Sequence, residues 1–287
     1  MILNENYTLA NGVEIPKIGL GTWMIDDAAV VGAVQDAVEV GYRHIDTAQA
    51  YMNERGVGEG IKKAGLARQD VFVTTKLAAE AKSYQGAADG VDASLKALKL
   101  DYIDLMIIHS PKPWMEYHDP NRYLAENREV WRALEEAYEA GKLRAIGVSN
   151  FEREDLDNIL QDCSVKPMVN QILAHISNTP FDLIEHTQQQ GILVEAYSPV
   201  AHGELLKNRE VAAMAEKYSV TIAQLSIRYT LQLDLLPLPK TVNPEHMRNN
   251  AEVDFVISDQ DMESLKKTDK IEDYGDASIM PVFGGKL

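Results

Sequence analysis

Eight short apolar runs recur along this chain, and the segments between them have helical periodicity. The runs end near Thr22, Asp46, Lys76, His109, Ser149, Leu173, Ser198 and Lys240. Successive ends are about 31 residues apart on average, a length that suits one strand and one covering helix. The repeat therefore predicts an α/β fold, a (β/α)8 TIM barrel, built from residues 1–287 as a single domain.

A short hairpin is predicted before the first barrel strand. Residues 7–9 and 13–15 are alternating runs on either side of Asn11 and Gly12, and an Asn-Gly pair between such runs is a strong hairpin signal. We expect an N-terminal β-hairpin that closes the bottom of the barrel.

The ends of two helices and one loop can also be predicted. Asp26 and Asp27 are candidate caps of a first helix that Gly41 ends, and Gly141 ends a later one. Residues 111–126 contain Pro, Trp, Tyr, Asp and Asn without a clear period, which predicts a long loop after the fourth strand. Because that loop rises from the same face as the other strand ends, we expect it to form one wall of a substrate pocket.

The charge of the chain argues against nucleic acid and membrane partners. With 28 basic and 44 acidic residues the net charge is -16, which repels phosphate backbones and anionic lipid surfaces. No apolar run reaches the roughly 18 residues of a membrane span, and the N-terminus lacks the pattern of a signal peptide. The lone Cys163 excludes a disulfide framework and fits a reducing cytosol. We expect a cytoplasmic protein, and a monomer.

Several motifs resemble those of the aldo-keto reductase family. Residues 41–48, followed by Tyr51 and then by Asn53 and Glu54, resemble the family signature. Further matches in family order are Thr75 with Lys76, Ile108 with His109, residues 141–151, Asn170 with Gln171, residues 196–199 and residues 239–241. The resemblance covers most of the chain and implies an NAD(P)H-dependent reductase of aldehydes or ketones that uses no metal. Within the family the chain resembles the bacterial, diketogluconate-reductase-like branch.

Asp46, Tyr51, Lys76 and His109 are the candidate catalytic residues, since the carboxyl ends of parallel strands meet at one face of a barrel. Carbonyl reduction needs a hydride at carbon and a proton at oxygen. Tyr51 is the candidate acid; a free tyrosine has a pKa of about 10, and the Lys76 cation is expected to lower it. Asp46 would hold Lys76 in place, and neutral His109 would orient the substrate oxygen. The family resemblance implies the same four roles.

Each of these residues, taken singly, is more often structural. A tyrosine in a barrel is usually a packing residue, a histidine at a strand end usually forms a structural hydrogen bond, and Asp46 with Lys76 could be a buried ion pair alone. Their joint placement within matching motifs favours the catalytic interpretation.

Residues at neighbouring strand ends are candidates for binding the nicotinamide end of the cofactor. Ser149, Asn150 and Gln171 offer hydroxyl and amide groups to a carboxamide, and Tyr197 offers a ring for stacking. Asn150 has an alternative role as the cap of a helix over residues 152–160. The full candidate set at this end is Thr22, Asp46, Ser149, Asn150, Gln171, Tyr197 and Ser198.

The phosphate end of the cofactor is predicted after the eighth strand. Asn243 and Pro244 mark a helix N-terminus, which attracts anions, shortly after Lys240 and Thr241. Barrels often bind phosphate at such a short extra helix. An ordinary capped surface helix is the alternative interpretation.

The preference between the two cofactors is predicted to depend on His246. NADPH-preferring members of the family usually have an arginine here, whereas histidine is largely neutral at pH 7. We therefore expect NADPH as the cofactor, with NADH use also possible. Arg248 is expected to point elsewhere, and of Asn249 and Asn250 only Asn250 matches the family near the adenine.

Aromatic residues are expected to form the pocket for a small-molecule carbonyl substrate. Trp23, Tyr51 and Trp114 follow the first, second and fourth strands, and His109 lies at the same mouth. Ser110 stands where many family members have tryptophan, which implies a roomier or more polar pocket. The tail, residues 277–287, either covers the pocket or is disordered.

Two other functions use parts of the same pattern. A cofactor-binding sensor with vestigial catalysis would keep the cofactor site, although the intact set of four candidate residues argues against it. A barrel isomerase or aldolase acting on sugar phosphates could use Lys76 together with a phosphate site at Lys240. Cofactor binding and cofactor oxidation would separate these functions.

One glycine cluster does not fit cofactor binding. Gly56, Gly58 and Gly60 are closely spaced, yet they follow no strand and lack the full dinucleotide fingerprint. We interpret them as helix residues that allow close packing.

Overall fold

A computed structural model describes residues 1–285 of the chain. Its centre is a sheet of eight parallel strands. These strands are β3 (Leu20–Gly21), β4 (His44–Asp46), β5 (Phe72–Leu77), β6 (Ile103–Ile108), β7 (Leu143–Ser149), β8 (Val169–Leu173), β9 (Leu193–Tyr197) and β10 (Leu236–Leu238). Two shorter strands, β1 (Asn6–Thr8) and β2 (Glu14–Pro16), precede them. The eight predicted barrel strands are therefore confirmed, with ends shifted by about two residues at most.

The sheet closes into a barrel between its first and last strands. The strands follow one another in chain order from β3 to β10, and all neighbouring pairs are parallel. At the seam, the N–H of Gly21 donates to the carbonyl of Pro239 at 3.0 Å, and Gly21 forms a parallel bridge with Lys240. The predicted (β/α)8 TIM barrel is confirmed.

Helices separate the barrel strands. They are α1 (Ala29–Val40), α2 (Glu54–Ala64), α3 (Tyr84–Leu98), α4 (Leu124–Glu139), α5 (Arg153–Asp162), α6 (Phe181–Gln189), α7 (Arg209–Lys217), α8 (Ile222–Gln232), α9 (Pro244–Ala251) and α10 (Asp259–Leu265). Both α7 and α8 lie between β9 and β10, and α9 follows β10. The long loop predicted after the fourth strand runs from β6 to α4, and it contains one short 3₁₀ helix, Trp114–Glu116.

The N-terminal hairpin plugs the amino-terminal end of the barrel. Strand β1 pairs antiparallel with β2, with Tyr7 opposite Ile15. Leu9 and Ile15 are buried and pack against apolar residues of the barrel interior, such as Leu105. The Tyr7 hydroxyl donates to the carbonyl of Leu235, just before β10 begins, at 3.4 Å. The predicted hairpin is confirmed.

The predicted helix ends are partly correct. Helix α1 has no side-chain cap, so the assignment of Asp26 and Asp27 as its caps is wrong. Asp27 instead accepts a hydrogen bond at 2.7 Å from the N–H of Gly56 in the first turn of α2, where a carboxylate is favourable. Gly41 and Gly141 follow α1 and α4 with φ values of 119° and 75°, a left-handed conformation that glycine adopts without strain.

The glycines of α2 allow close packing against the neighbouring helices. A Cβ added at Gly58 would lie 2.0 Å from the carbonyl oxygen of Leu98, the last residue of α3. A Cβ added at Gly56 would lie 2.0 Å from the carbonyl oxygen of Asp27. Neither position tolerates a side chain unless the backbone moves. The glycine cluster therefore serves helix packing, as predicted.

Residues 1–285 contain no helix long and apolar enough to cross a membrane. Over the same range, no group of three or more His, Cys, Asp and Glu side chains is arranged to hold a metal ion. Cys163 is half-buried, and burial raises the pKa of its thiol, which disfavours the reactive thiolate.

Candidate active site

A cavity of about 780 Å³ opens at the carboxyl ends of the barrel strands. The predicted site residues that line it are Trp23, Asp46, Tyr51, His109, Trp114, Ser149, Asn150, Gln171, Tyr197, Ser198, Lys240, Thr241, His246 and Asn250. Three predicted residues, Thr22, Lys76 and Ser110, are buried and are not part of the lining. One cavity thus brings together most of the candidate catalytic and cofactor residues.

Tyr51 lies next to both Lys76 and His109. It ends a 3₁₀ helix, Gln49–Tyr51, that follows β4 directly. The centre of its ring is 4.9 Å from Lys76 Nζ and 5.6 Å from the centre of the His109 ring. The loop after β4 therefore places the candidate acid over the ends of β5 and β6.

Lys76 and Asp46 form a buried ion pair behind Tyr51. Lys76 Nζ donates to Asp46 Oδ1 at 2.6 Å and to the carbonyl of Thr47 at 2.9 Å. Their side chains are only 1% and 4% exposed, so either charge alone would be costly. Burial acts to lower the pKa of Lys76, but Asp46 and Tyr51 raise it, and the net shift is upward. Lys76 therefore stays cationic at neutral pH.

The pKa of Tyr51 is raised above its ordinary value. Burial is the largest cause; Lys76 lowers the pKa, as expected, and Asp46 raises it. The expected net lowering of this pKa is wrong, because desolvation of the phenolate outweighs the attraction of the cation. Tyr51 is therefore protonated at neutral pH, which is the state that a proton donor requires.

His109 is neutral at physiological pH. Burial, and then the charge of Lys76, lower the pKa of this histidine well below its ordinary value. Its ring centre is 5.1 Å from that of Trp114, which begins the 3₁₀ helix in the long loop. Its Nδ1 atom is buried and has no hydrogen-bond partner within the described chain. An uncharged imidazole is the form that was expected for a group that orients a carbonyl oxygen.

Asn150 connects two sides of the cavity. Its Nδ2 donates to the carbonyl of His109 at 2.9 Å, and its Oδ1 accepts from the Tyr197 hydroxyl at 2.7 Å. Helix α5 is capped instead by Glu152, in a capping box with Asp155. The alternative role of Asn150 as a helix cap is therefore wrong.

Gln171 links the cavity to the buried ion pair. It lies opposite Ser149 in the pairing of β7 with β8, and Ser149 Oγ donates to its carbonyl at 2.8 Å. The side-chain Nε2 of Gln171 donates to Asp46 Oδ2 at 2.9 Å. Asp46 therefore holds Lys76 with one oxygen and Gln171 with the other.

The segment after β10 has the structure predicted for a phosphate site. Helix α9 begins at Pro244, and Asn243 caps it by accepting from the N–H of Glu245 at 2.9 Å. Thr241 Oγ1 accepts from the N–H of Asn243 at 3.0 Å. Lys240 is exposed and forms no ion pair with any residue in the range 1–285. An unneutralised cation thus lies beside a helix N-terminus at one end of the cavity.

Three residues of α9 face the cavity. His246 is exposed and lines the cavity together with Asn250. Asn249 lines the cavity as well, although it does not match the family motif and was not predicted as a site residue. This part of the prediction was therefore incomplete. Arg248 is not part of the lining, in agreement with its expected direction.

Thr22 and Ser110 are not where they were predicted. Thr22 Oγ1 donates to the carbonyl of Asp46 at 2.9 Å and joins β3 to β4 below the cavity. Ser110 Oγ accepts from the N–H of Lys112 at 3.2 Å, and its carbonyl accepts from Lys82 Nζ at 3.0 Å. Both side chains are fully buried, so their assignment to the cofactor site and the substrate pocket is wrong for this structure.

Two titratable residues near the site, His202 and Glu195, were not predicted. His202 lines the cavity from a 3₁₀ segment, Ala201–Lys207, that follows β9; burial and the charge of Lys240 lower the pKa of His202 to about 4. Glu195 lies at the centre of β9 and is fully buried beside Gln171. A charged residue in the middle of an apolar strand was a signal that could have found Glu195.

The C-terminal tail folds against the cavity. Phe283 lines the cavity and stacks on Trp23, with ring centres 5.9 Å apart. The carbonyl of Gly285 accepts a hydrogen bond from His118 Nε2 at 2.7 Å, which ties the tail to the long loop. Of the two expectations for this segment, covering the pocket is correct through Gly285; Lys286 and Leu287 lie outside the described residues.

A sequence model of the Aldo/keto reductase family matches residues 17–270. The chain belongs to this family. The resemblance found in the motifs is thus confirmed, and so is the predicted oxidoreductase class, since aldo-keto reductases are oxidoreductases.

Relatives in the family match the chain over nearly its whole length. Glyoxal reductase of Bacillus subtilis (strain 168) is 39% identical over 275 residues, which are 95% of this chain and 96% of that protein. An aldo/keto reductase structure from Brucella melitensis has a TM-score of 0.85 at 35% identity and covers 92% of this chain and 99% of its own. A Bombyx mori aldo-keto reductase, solved in complex with NADP, has a TM-score of 0.85 at 33% identity. The match covers 96% of this chain and 95% of the Bombyx mori chain.

Proposed function

We propose that this aldo-keto reductase reduces aldehydes or ketones to alcohols by hydride transfer from NAD(P)H, with Tyr51 as the proton donor. The observation that carries the proposal is the position of Tyr51. It is half-buried and protonated, it adjoins the Lys76 cation and the neutral His109, and it opens on the cavity that also contains the candidate cofactor residues.

The residues that line the cavity fit a nicotinamide dinucleotide. At one end, Asn150 and Gln171 offer amide groups, and Tyr197 offers a ring. At the other end, Lys240 lies beside the N-terminus of α9, a combination that attracts phosphate, and this lysine has no ion-pair partner within residues 1–285. The NADP complex of the Bombyx mori relative supports the same cofactor class for this chain.

The reaction needs an acid that is protonated before catalysis and whose anion is stabilised after it has given up the proton. A bound reduced nicotinamide would supply the hydride to the carbonyl carbon. As the C=O π electrons move onto oxygen, that oxygen takes the proton from Tyr51 and becomes the alcohol hydroxyl. Lys76 stabilises the resulting Tyr51 phenolate, because its ammonium lies 4.9 Å from the ring centre and is only 1% exposed, so water screens it poorly.

His109 has a separate task in this scheme. Because its imidazole is neutral, it donates a hydrogen bond to the carbonyl oxygen without adding a charge that would compete with Lys76. Trp114 packs edge-on against its ring and limits how far the ring can turn. His109 therefore orients the substrate oxygen between itself and Tyr51.

The shape of the pocket supports apolar or mixed carbonyl substrates. Trp23, Trp114 and Phe283 supply aromatic walls, and the tail closes part of the mouth. The relative named glyoxal reductase supports small aldehydes and dicarbonyls as the first compounds to assay.

The proposal is tested with the wild-type protein, NADPH and NADH, and a panel of small aldehydes. Binding is measured by quenching of tryptophan fluorescence, and turnover by loss of absorbance of the reduced cofactor. We expect both binding and aldehyde-dependent oxidation. Binding without oxidation of the cofactor would favour the sensor, and binding of neither nucleotide would favour a barrel enzyme acting on sugar phosphates.

A further inference from the structure

Glu195 is a fully buried carboxyl group that the proposed reaction does not use. It lies in β9 directly opposite Gln171 of β8 and Leu236 of β10. Within the described part of the chain it forms no ion pair, and its Oε1 atom has no hydrogen-bond partner. A buried acid without a cation is costly, so its position in the barrel needs an explanation.

The contact that Glu195 does form is with the side chain of Gln171. Nε2 of Gln171 donates to Glu195 Oε2 at 2.7 Å and to Asp46 Oδ2 at 2.9 Å. A side-chain amide has two N–H groups, and both are used here. The reverse orientation of the amide would point its oxygen at the Asp46 carboxylate and, once Glu195 is ionised, at a second carboxylate. Asp46 and ionised Glu195 therefore select one orientation, in which Oε1 of Gln171 is left for the cavity.

We propose that Glu195 is a positioning residue that, together with Asp46, orients the amide of Gln171 so that its Oε1 accepts a hydrogen bond from the carboxamide of a bound nicotinamide. The inference rests on the proposed function, since it requires that cofactor. Glu195 itself touches neither the cofactor nor the substrate in this scheme.

The charge around Glu195 gives the proposal a second consequence. Burial and the Asp46 carboxylate raise the pKa of Glu195 to about 8, against the opposing influence of Gln171 and Lys76. Asp46 on β4 and Lys76 on β5 are the titratable groups that act on it; β8 presents the Gln171 amide and β10 the apolar Leu236. Above pH 8, a second negative charge therefore appears beside Gln171. That charge favours the oxidised nicotinamide, whose ring is positive, over the reduced one.

The first test replaces the acid by its isostere in the variant Glu195→Gln. The introduced amide can donate to Gln171 Oε1, so the reverse orientation is no longer excluded. At pH 9, where Glu195 is ionised, we compare the Kd values of NADP⁺ and its 3-acetylpyridine analogue, whose methyl ketone cannot donate a hydrogen bond. The wild type should prefer NADP⁺ by about fivefold, the worth of one hydrogen bond, and the variant should lose most of this preference.

The control variant is Glu135→Gln. Glu135 is also a buried acid, but it lies on α4 outside the barrel, where its Oε1 accepts from the N–H of Val165 at 2.7 Å. A glutamine there keeps an acceptor, so this variant should retain the full preference for NADP⁺. A general loss of stability would instead change both variants alike.

A second measurement needs only the wild type, so it does not depend on folding of the Glu195 variant. The ratio of the Kd of NADPH to the Kd of NADP⁺ is measured from pH 7 to pH 9. It should rise with a midpoint near pH 8, because NADP⁺ binds more tightly once Glu195 is ionised. A ratio that does not change with pH, or an unchanged preference for NADP⁺ over the analogue in Glu195→Gln, would overturn this inference but not the proposed function. A wild type that binds neither nucleotide would overturn the proposed function and, with it, this inference.

Discussion

At the scale of single residues, the site depends on how few charges are buried in it. Lys76 and Asp46 form one ion pair, His109 is neutral, and Tyr51 is protonated. Each state follows from burial and from the neighbouring charge. Proton transfer from Tyr51 would therefore create one new charge in the site, a phenolate that adjoins the Lys76 cation.

Residue identity at the strand ends was predictable, but side-chain direction was less so. Successive residues of an extended chain point to opposite sides. Trp23 and His109 face the cavity, whereas their neighbours Thr22 and Ser110 point away from it and are buried. The motifs predicted where these pairs of residues lie in the barrel. The backbone conformation determines which side chain of each pair faces the cavity. Glu195 was missed because no motif marks it.

We predict that the cofactor preference depends on the side chain at position 246. An arginine there would offer a permanent positive charge and a bidentate contact to the 2′-phosphate of NADPH, so His246→Arg should raise the ratio of the Kd of NADH to the Kd of NADPH by about tenfold. The control His246→Gln keeps a polar side chain without an ionisable group, and its ratio should be no larger than that of the wild type. A wild-type ratio as large as that of the arginine variant would contradict the prediction.

At the scale of elements, the strands and helix stops followed from local signals, whereas the caps did not. Apolar runs locate the strands, and Gly41 and Gly141 end helices because each adopts a positive φ. Asp27 and Asn150 were expected to cap their own helices, but both bind partners on other segments. Such a partner comes close only after the chain has folded, and one sequence does not contain that information.

Helix packing around the barrel gives a test of stability. Gly58→Ala would place a Cβ against the carbonyl of Leu98, and we expect it to lower the free energy of unfolding by about 3 kcal/mol. The control is Gly32→Ala in α1, where a Cβ has no atom within 4 Å. That variant should stabilise the protein by about 0.5 kcal/mol, since alanine favours the helix. Both are measured by urea unfolding. Equal effects would show that α2 and α3 do not pack as closely as described.

At the scale of the whole molecule, the barrel turns distant sequence segments into one site. Asp46 ends β4, Tyr51 follows it, Lys76 lies in β5 and His109 follows β6, while Lys240 follows β10 on the far side of the closing seam. The repeat predicted this arrangement because parallel strands place all their carboxyl ends on one face. The tail's contact with Trp23 was not predictable, since no periodicity marks where a terminal segment packs.

The most direct measurement of the central claim is a single-turnover comparison of the wild type with Tyr51→Phe. Rapid mixing of the enzyme–NADPH complex with an aldehyde follows hydride transfer by the loss of cofactor absorbance. The control is Tyr7→Phe, which removes a hydroxyl at the opposite end of the barrel. We predict that Tyr51→Phe binds NADPH as the wild type does but transfers hydride about a thousandfold more slowly, and that Tyr7→Phe is unchanged. Hydride transfer by Tyr51→Phe at the wild-type rate would contradict the account.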